Sequence, residues 1–195
     1  MNKAKPFETR KLVLLALLTA IVVVLQLLGT FIKFGPFSIS LVLLPIAVGA
    51  ALAGIAAGGW LGLVFGIVVL MSGDAAAFLA INPAATIAVV LLKGMLAGLA
   101  AGAVYRLLEK INKTVAAIAA AVVCPVVNTG IFIVGIYAFF LPTITEWGVS
   151  AGFKNTAGFI FLVLVSGNFL VELALNLILS PTIVRLVQFG QDSRK

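Results

Sequence analysis

The stretch SLVLLPIAVGAALAGIAAGGWLGLVFGIVVLM, residues 40–71, contains no charged residue, and its reading decides the fold. A bilayer with a hydrocarbon core of roughly 30 Å is crossed by about 20 apolar residues in a helix. The stretch is therefore either one overlong helix or two short ones folded back on each other. Gly58-Gly59 followed by Trp60 is a turn signal with an interfacial aromatic beside it. It predicts two short helices over about 41–57 and 60–71.

Outside this stretch, apolar spans cover about 9–28, 83–106, 113–141 (stopping before Pro142) and 155–187. Charge bias chooses between five crossings and six. With the hairpin, Lys3, Lys5, Arg10, Lys11, Arg106, Lys110, Lys113, Arg185, Arg194 and Lys195 share the inner face, and only Lys33 and Lys154 lie outside. That is ten against two; a single long helix gives five inside and seven outside. The positive-inside rule selects the first. The expected fold is an all-α integral membrane protein with six transmembrane helices, both termini cytoplasmic and one domain over residues 1–195. The apolar run 12–32 is too long for a cleaved signal segment and reads as a retained first helix. The outer connections are then 33–40, 72–82 and 142–154, rich enough in Gly, Pro, Phe and Trp to act as a lid.

Composition agrees with this reading. The chain is 63% hydrophobic and 10% charged, with a mean hydropathy of +1.28. A soluble domain is about half apolar and a quarter charged, so lipid has to cover the excess. The net charge of +7 does not indicate nucleic acid, because the cations cap apolar runs instead of forming a stripe interleaved with aromatics. Cys124 stands alone inside an apolar run and reads as a small buried hydrophobe. Histidine is absent, which removes the usual general base and the commonest metal ligand. No phosphate loop, HExxH, CxxC or GxSxG motif occurs. No enzyme activity, cofactor or metal is expected.

Glycines recur every fourth residue at Gly54, Gly58, Gly62 and Gly66, and again at Gly94, Gly98 and Gly102. Small residues at that spacing share a helix face and admit a second backbone. Packing within the bundle is the preferred reading for these glycines. For Ala16 and Ala20 of the first helix a contact with an external partner is preferred.

Two ionisable residues, Lys93 and Glu172, lie deep in apolar spans, where charge is costly and marks function by default. Each is thirteen residues from a basic residue at the inner end, Arg106 and Arg185. Asn128 and Gln26 are each fifteen residues from Lys113 and Lys11. At 1.5 Å per residue all four fall roughly 20 Å from the inner edge. They form one polar layer, displaced toward the outer side. Asn168 lies a turn beyond Glu172 on the same face, and Asn82 and Thr129 can join from outside. Three readings compete: a structural Lys93–Glu172 ion pair, a proton or ion relay, and an outward pocket for a polar small molecule. The amides at the same depth and the flanking loops favour the pocket. A binder of this kind needs an energy source, and the chain carries none.

Taken together, these features resemble the substrate-binding S component of energy-coupling factor (ECF) vitamin transporters of bacteria and archaea. The resemblance rests on the basic N-terminal lead, the sequence Ala16-Leu17-Leu18-Thr19-Ala20, the segment from Leu92-Lys93-Gly94 to Tyr105-Arg106, and Asn168 to Pro181 with its central Glu172. It implies a binding subunit in the cell membrane, with Ala16 and Ala20 against a transmembrane T component and two ATPase subunits supplying energy. It also implies an outer pocket built by helices 4 to 6 and capped by the loops after helices 1 and 3. Lys93, Asn128, Asn168 and Glu172 then face the ligand, and the loaded subunit topples to release it inside. A lysine at pocket depth suits an acid such as pantothenate, with Trp147 and Phe153 available to stack. Riboflavin, folate, a pyrimidine precursor and a queuosine precursor remain open, and the argument for an acid lapses if Lys93 is matched to Glu172. A stand-alone ion-coupled permease and a ligand-free membrane scaffold are the alternatives from other classes.

Overall fold

The computed structural model describes residues 6–31, 33–34, 37–38 and 41–192. Helix α1 (Pro6–Gly29) leads into a two-residue antiparallel pairing of β1 (Lys33–Phe34) with β2 (Phe37–Ser38). Then come α2 (Leu43–Ala53), α3 (Ile55–Met71), the short α4 (Ala76–Ile81) and α5 (Pro83–Leu108). Helix α6 (Lys113–Gly135) passes through a π-helical segment, Ile136–Phe140, into α7 (Leu141–Ser150). Helix α8 (Thr156–Phe159) passes through a second, Ile160–Val165, into α9 (Ser166–Asp192). Four stretches are long and apolar enough to cross a membrane: Lys11–Gly29, Pro83–Leu108, Lys113–Ser150 and Thr156–Leu179. Helices α2 and α3 are apolar but shorter. The charges at Lys3, Lys5, Arg194 and Lys195 lie outside the described residues.

The hairpin in residues 40–71 is present, but it turns at Gly54 and not at Gly58-Gly59. Gly54 has φ +103° and ψ 176°, a conformation open in practice only to glycine, and a Cβ there would meet nothing. Gly58 and Gly59 stay helical because they are needed for packing. A Cβ on Gly58 would strike the Gly98 carbonyl, and one on Gly98 would strike the Gly58 carbonyl. Gly62 and Gly94 exclude side chains from each other in the same reciprocal way. A Cβ on Gly66 would come within 2.9 Å of the Val90 oxygen, and one on Gly102 within 2.8 Å of the Ile55 Cα. As numbering rises on α3 it falls on α5, so the two helices are antiparallel, and Gly58, Gly62 and Gly66 with Gly94, Gly98 and Gly102 form one close-packed seam. Trp60 lies within α3, where its Nε1 donates to Thr19 Oγ1 of α1 at 3.2 Å.

Two expected outer loops are also largely helical. The 72–82 segment contains α4. Helix formation does not stop at Pro142, which occupies the first turn of α7, where a missing N–H costs little. The preceding π-helical segment takes up the change of register. Only residues 151–155 remain a turn, with Gly152 at φ +83°.

Asparagines begin three helices. Asn82 Oδ1 accepts from the Ala85 N–H ahead of Pro83, Asn112 Oδ1 from Thr114 and Val115, and Asn155 Oδ1 from Gly158. Such caps contribute about 1 kcal/mol each. Among the described residues, the buried apolar side chains form two clusters. One, rich in alanine, joins α1, α2, α3, α5 and α6. The other joins Phe78, Ile136, Phe140, Ile144, Phe159 and Ile160. Large apolar side chains such as Leu12, Val13, Leu17, Leu107 and Leu162 are exposed on the outside, as lipid contact requires.

Candidate binding site

Between the two clusters lies a cavity of about 90 Å³ that opens to the surface. Gln26 of α1, Lys93 of α5, Asn128 of α6 and Glu172 of α9 all line it. Depth counting put these residues in one layer, and helix packing brings them into one space. Gln26, Asn128 and Glu172 are 2%, 5% and 6% exposed. Lys93 is half-buried, with its remaining surface toward the cavity. Its Nζ stands 5.3 Å from the centroid of the Phe132 ring and 5.8 Å from that of Phe65. Glu172 and Asp74 are the carboxylates whose charge reaches it.

Asp74 was the functional side chain hardest to place from the sequence. It follows Gly73, whose φ of +86° reverses the chain after α3. This turn aims the carboxylate back at α1, where Gln26 Nε2 donates to Asp74 Oδ2 at 2.7 Å. A lone acid directly after a glycine in an outer connection was the available signal. Thr86, 2% exposed, lines the cavity, but its hydroxyl donates to the Asn82 carbonyl at 2.8 Å. Thr129 also lines it.

Aromatic rings make up much of the remaining wall: Phe65, Phe78, Phe132, Phe140 and Phe169. Phe78 of α4 is the keystone of the end of the cavity beside α4 and α7. It meets Phe132, Phe140 and Trp147 edge-on, with centroids 5.6, 5.0 and 6.0 Å away. Single phenylalanines in apolar runs carry no periodic signal that distinguishes a cavity wall from a core.

Other expected members are elsewhere. Asn82 does not line the cavity, because its side chain is committed to capping α5. Trp147 packs on Phe78, and Phe153 on Phe159 at 5.4 Å, so neither ring lines the cavity. Asn168 lies in α9, but its side chain is outside the described residues. Asn176, one turn after Glu172 in α9, is buried with Nδ2 unpartnered and was not anticipated. Ala16 and Ala20 are exposed on α1, beside the exposed Leu17 and Ile21.

An apolar-skinned helical chain with a polar, ring-walled cavity belongs to the class of membrane-embedded small-molecule binding proteins. More specifically, residues 10–184 match the family described as ECF transporter, substrate-specific component, and the chain belongs to that family. No curated protein and no solved structure matches it. Membership makes this a multi-pass membrane subunit that binds substrate for uptake, a transport component and not an enzyme. It also implies T-component and ATPase partners in general.

Proposed function

We propose that the chain crosses the cell membrane six times with both termini in the cytoplasm, and that the cavity is an outward-facing site for a vitamin or related small molecule. The convergence of Gln26, Lys93, Asn128 and Glu172, from four helices, on one cavity carries this reading. Intramembrane polar groups are costly, and four of them around a void are better explained by a ligand than by stability alone. The charge bias of ten against two supports the orientation. It puts the α2–α3 turn at Gly54 and the α5–α6 turn inside, and α4 at the outer mouth.

Ala16 and Ala20 are the proposed contact with a transmembrane T component, since their exposure leaves room for a partner backbone. Two ATPase subunits complete the proposed complex, and toppling of the loaded subunit delivers the ligand. Pantothenate is the acid that Lys93 first suggests. The test is ligand binding by the detergent-purified chain, followed by uptake in vesicles. Binding alone, with uptake only when T component and ATPases are added, supports the proposal. Uptake driven by an ion gradient without partners establishes the permease alternative, and a ligand-free protein establishes the scaffold.

A further inference from the structure

The two long spans Lys113–Ser150 and Thr156–Leu179 both leave the α-helical register beside the cavity. In the first, Asn128 and Phe132 line the cavity. A continuous α-helix would next turn Phe139 to it, eleven residues after Asn128 and seven after Phe132. Phe140 would point about a quarter turn away. The structure shows the reverse. Phe140 is 3% exposed and lines the cavity, whereas Phe139 is 54% exposed on the apolar outside. The π-helical segment Ile136–Phe140 makes the difference, because its wider turn takes up one extra residue.

The second span does the same. Counting back eleven residues from Glu172 and four from Val165, both at the cavity, reaches Phe161. Phe161 is nevertheless 50% exposed, and Ile160 is fully buried in its place. The π-helical segment Ile160–Val165 holds the extra residue here. Its backbone cost is met locally. The Ser166 N–H bonds the Phe161 carbonyl, five residues back, and not the Leu162 carbonyl that an α-helix would give it. The Ser166 hydroxyl donates to that Leu162 carbonyl at 2.6 Å. Leu162 is exposed on the apolar outside, where lipid supplies no donor.

Ile136, Phe140, Ile160, Leu164 and Val165 then pack in one cluster with Phe78, which Phe140 meets edge-on at 5.0 Å. π-helical turns are rare and concentrate at functional sites. Two of them packed together on one cavity wall point to that wall as their purpose. We infer that the paired π-helical segments are positioning elements of the binding site, and that Phe140, not Phe139, is the ring they set against the ligand. This rests on reading the cavity as the substrate site.

The probe is the small molecule that copurifies with the full wild-type chain, identified by mass spectrometry of the extract and added back to emptied protein. Dissociation constants are measured beside thermal stability in detergent. Phe140→Ala should weaken binding at least about tenfold, as loss of a buried ring contact requires. Phe139→Ala should change it by less than about twofold. Deleting Phe139 alone puts Phe140 seven residues after Phe132, where a continuous α-helix turns to the cavity. That variant should bind within about threefold of wild type. A loss with Phe139→Ala equal to or larger than that with Phe140→Ala overturns the inference and leaves the binding-subunit reading intact. Lost binding by a deletion variant as stable as wild type does the same. If the deletion variant does not fold, the two alanine variants decide. A wild-type chain that carries no small molecule overturns the site reading, and the inference with it.

Discussion

Gln26 of α1 and Asp74 of the turn before α4 are joined by a 2.7 Å hydrogen bond. Helix α1 carries the exposed Ala16 and Ala20, and α4 carries Phe78, a ring of the cavity wall. The bond therefore ties the helix proposed to meet the partner to a segment that lines the proposed ligand cavity. A hydrogen bond to a charged group contributes about 1.5–3 kcal/mol. Asp74→Ala should raise amide exchange across 72–82 about tenfold to hundredfold at constant exchange in α3 and α5. Unchanged exchange in 72–82 would show that the bond does not hold the lid.

The Gly62–Gly94 crossing leaves no room for a methyl group on either side. Gly94→Ala and Gly62→Ala should each cost several times the ~1 kcal/mol that alanine normally gains over glycine in a helix. Gly130, with open space around its Cβ position, is the control. Gly130→Ala should be neutral or stabilising by about 1 kcal/mol. Thermal stability in detergent reads all three, and equal stabilities would refute the seam.

Gly54→Ala should destabilise by about 1–3 kcal/mol although the added methyl touches nothing, because the cost lies in the backbone conformation. Gly58→Ala is also expected to be harmful, but through collision with Gly98. Pairing Gly58→Ala with a smaller neighbour, Ala50→Gly, should recover only part of the loss, since the Gly98 carbonyl stays in place.

Glu172→Gln keeps the shape of a residue 6% exposed but removes its charge and replaces one acceptor oxygen with an NH₂ donor. The protein should fold and express, with ligand affinity reduced about tenfold or more. Lys93→Ala should do the same. Titration of the endogenous ligand measures it, and undiminished binding by folded Glu172→Gln would sink the assignment.

Ala16→Trp or Ala20→Trp fills an exposed face of α1 and leaves the cavity untouched. Ligand binding by the isolated chain should be unaffected, whereas copurification with a T component and coupled uptake should be lost. Retained assembly in both variants would move the partner contact elsewhere.

The meeting of four polar residues at one cavity was legible because it depends on position along the chain. Lys93, Asn128, Glu172 and Gln26 were placed at one depth by counting residues from basic ends, and helices of fixed rise preserve such counts. The capping role of Asn82 was not legible, because asparagine before proline serves equally as a polar ligand and as a cap; the Ala85 N–H shows that it caps α5. Pro142 was taken as a stop because a π-helical segment cannot be seen in a periodicity built on 3.6 residues.

The sequence by itself determined the membrane environment, the helical class and the polar layer, because hydropathy, charge bias and depth are sums along one dimension. The tertiary structure alone decided that the hairpin turns at Gly54, since Gly58 and Gly59 are claimed by a helix forty residues away. It alone put Asp74 on Gln26 and left the Gln26 carbonyl buried without a partner. Those outcomes depend on which backbones meet and which hydrogen bonds are already taken, and neither is a property of local sequence.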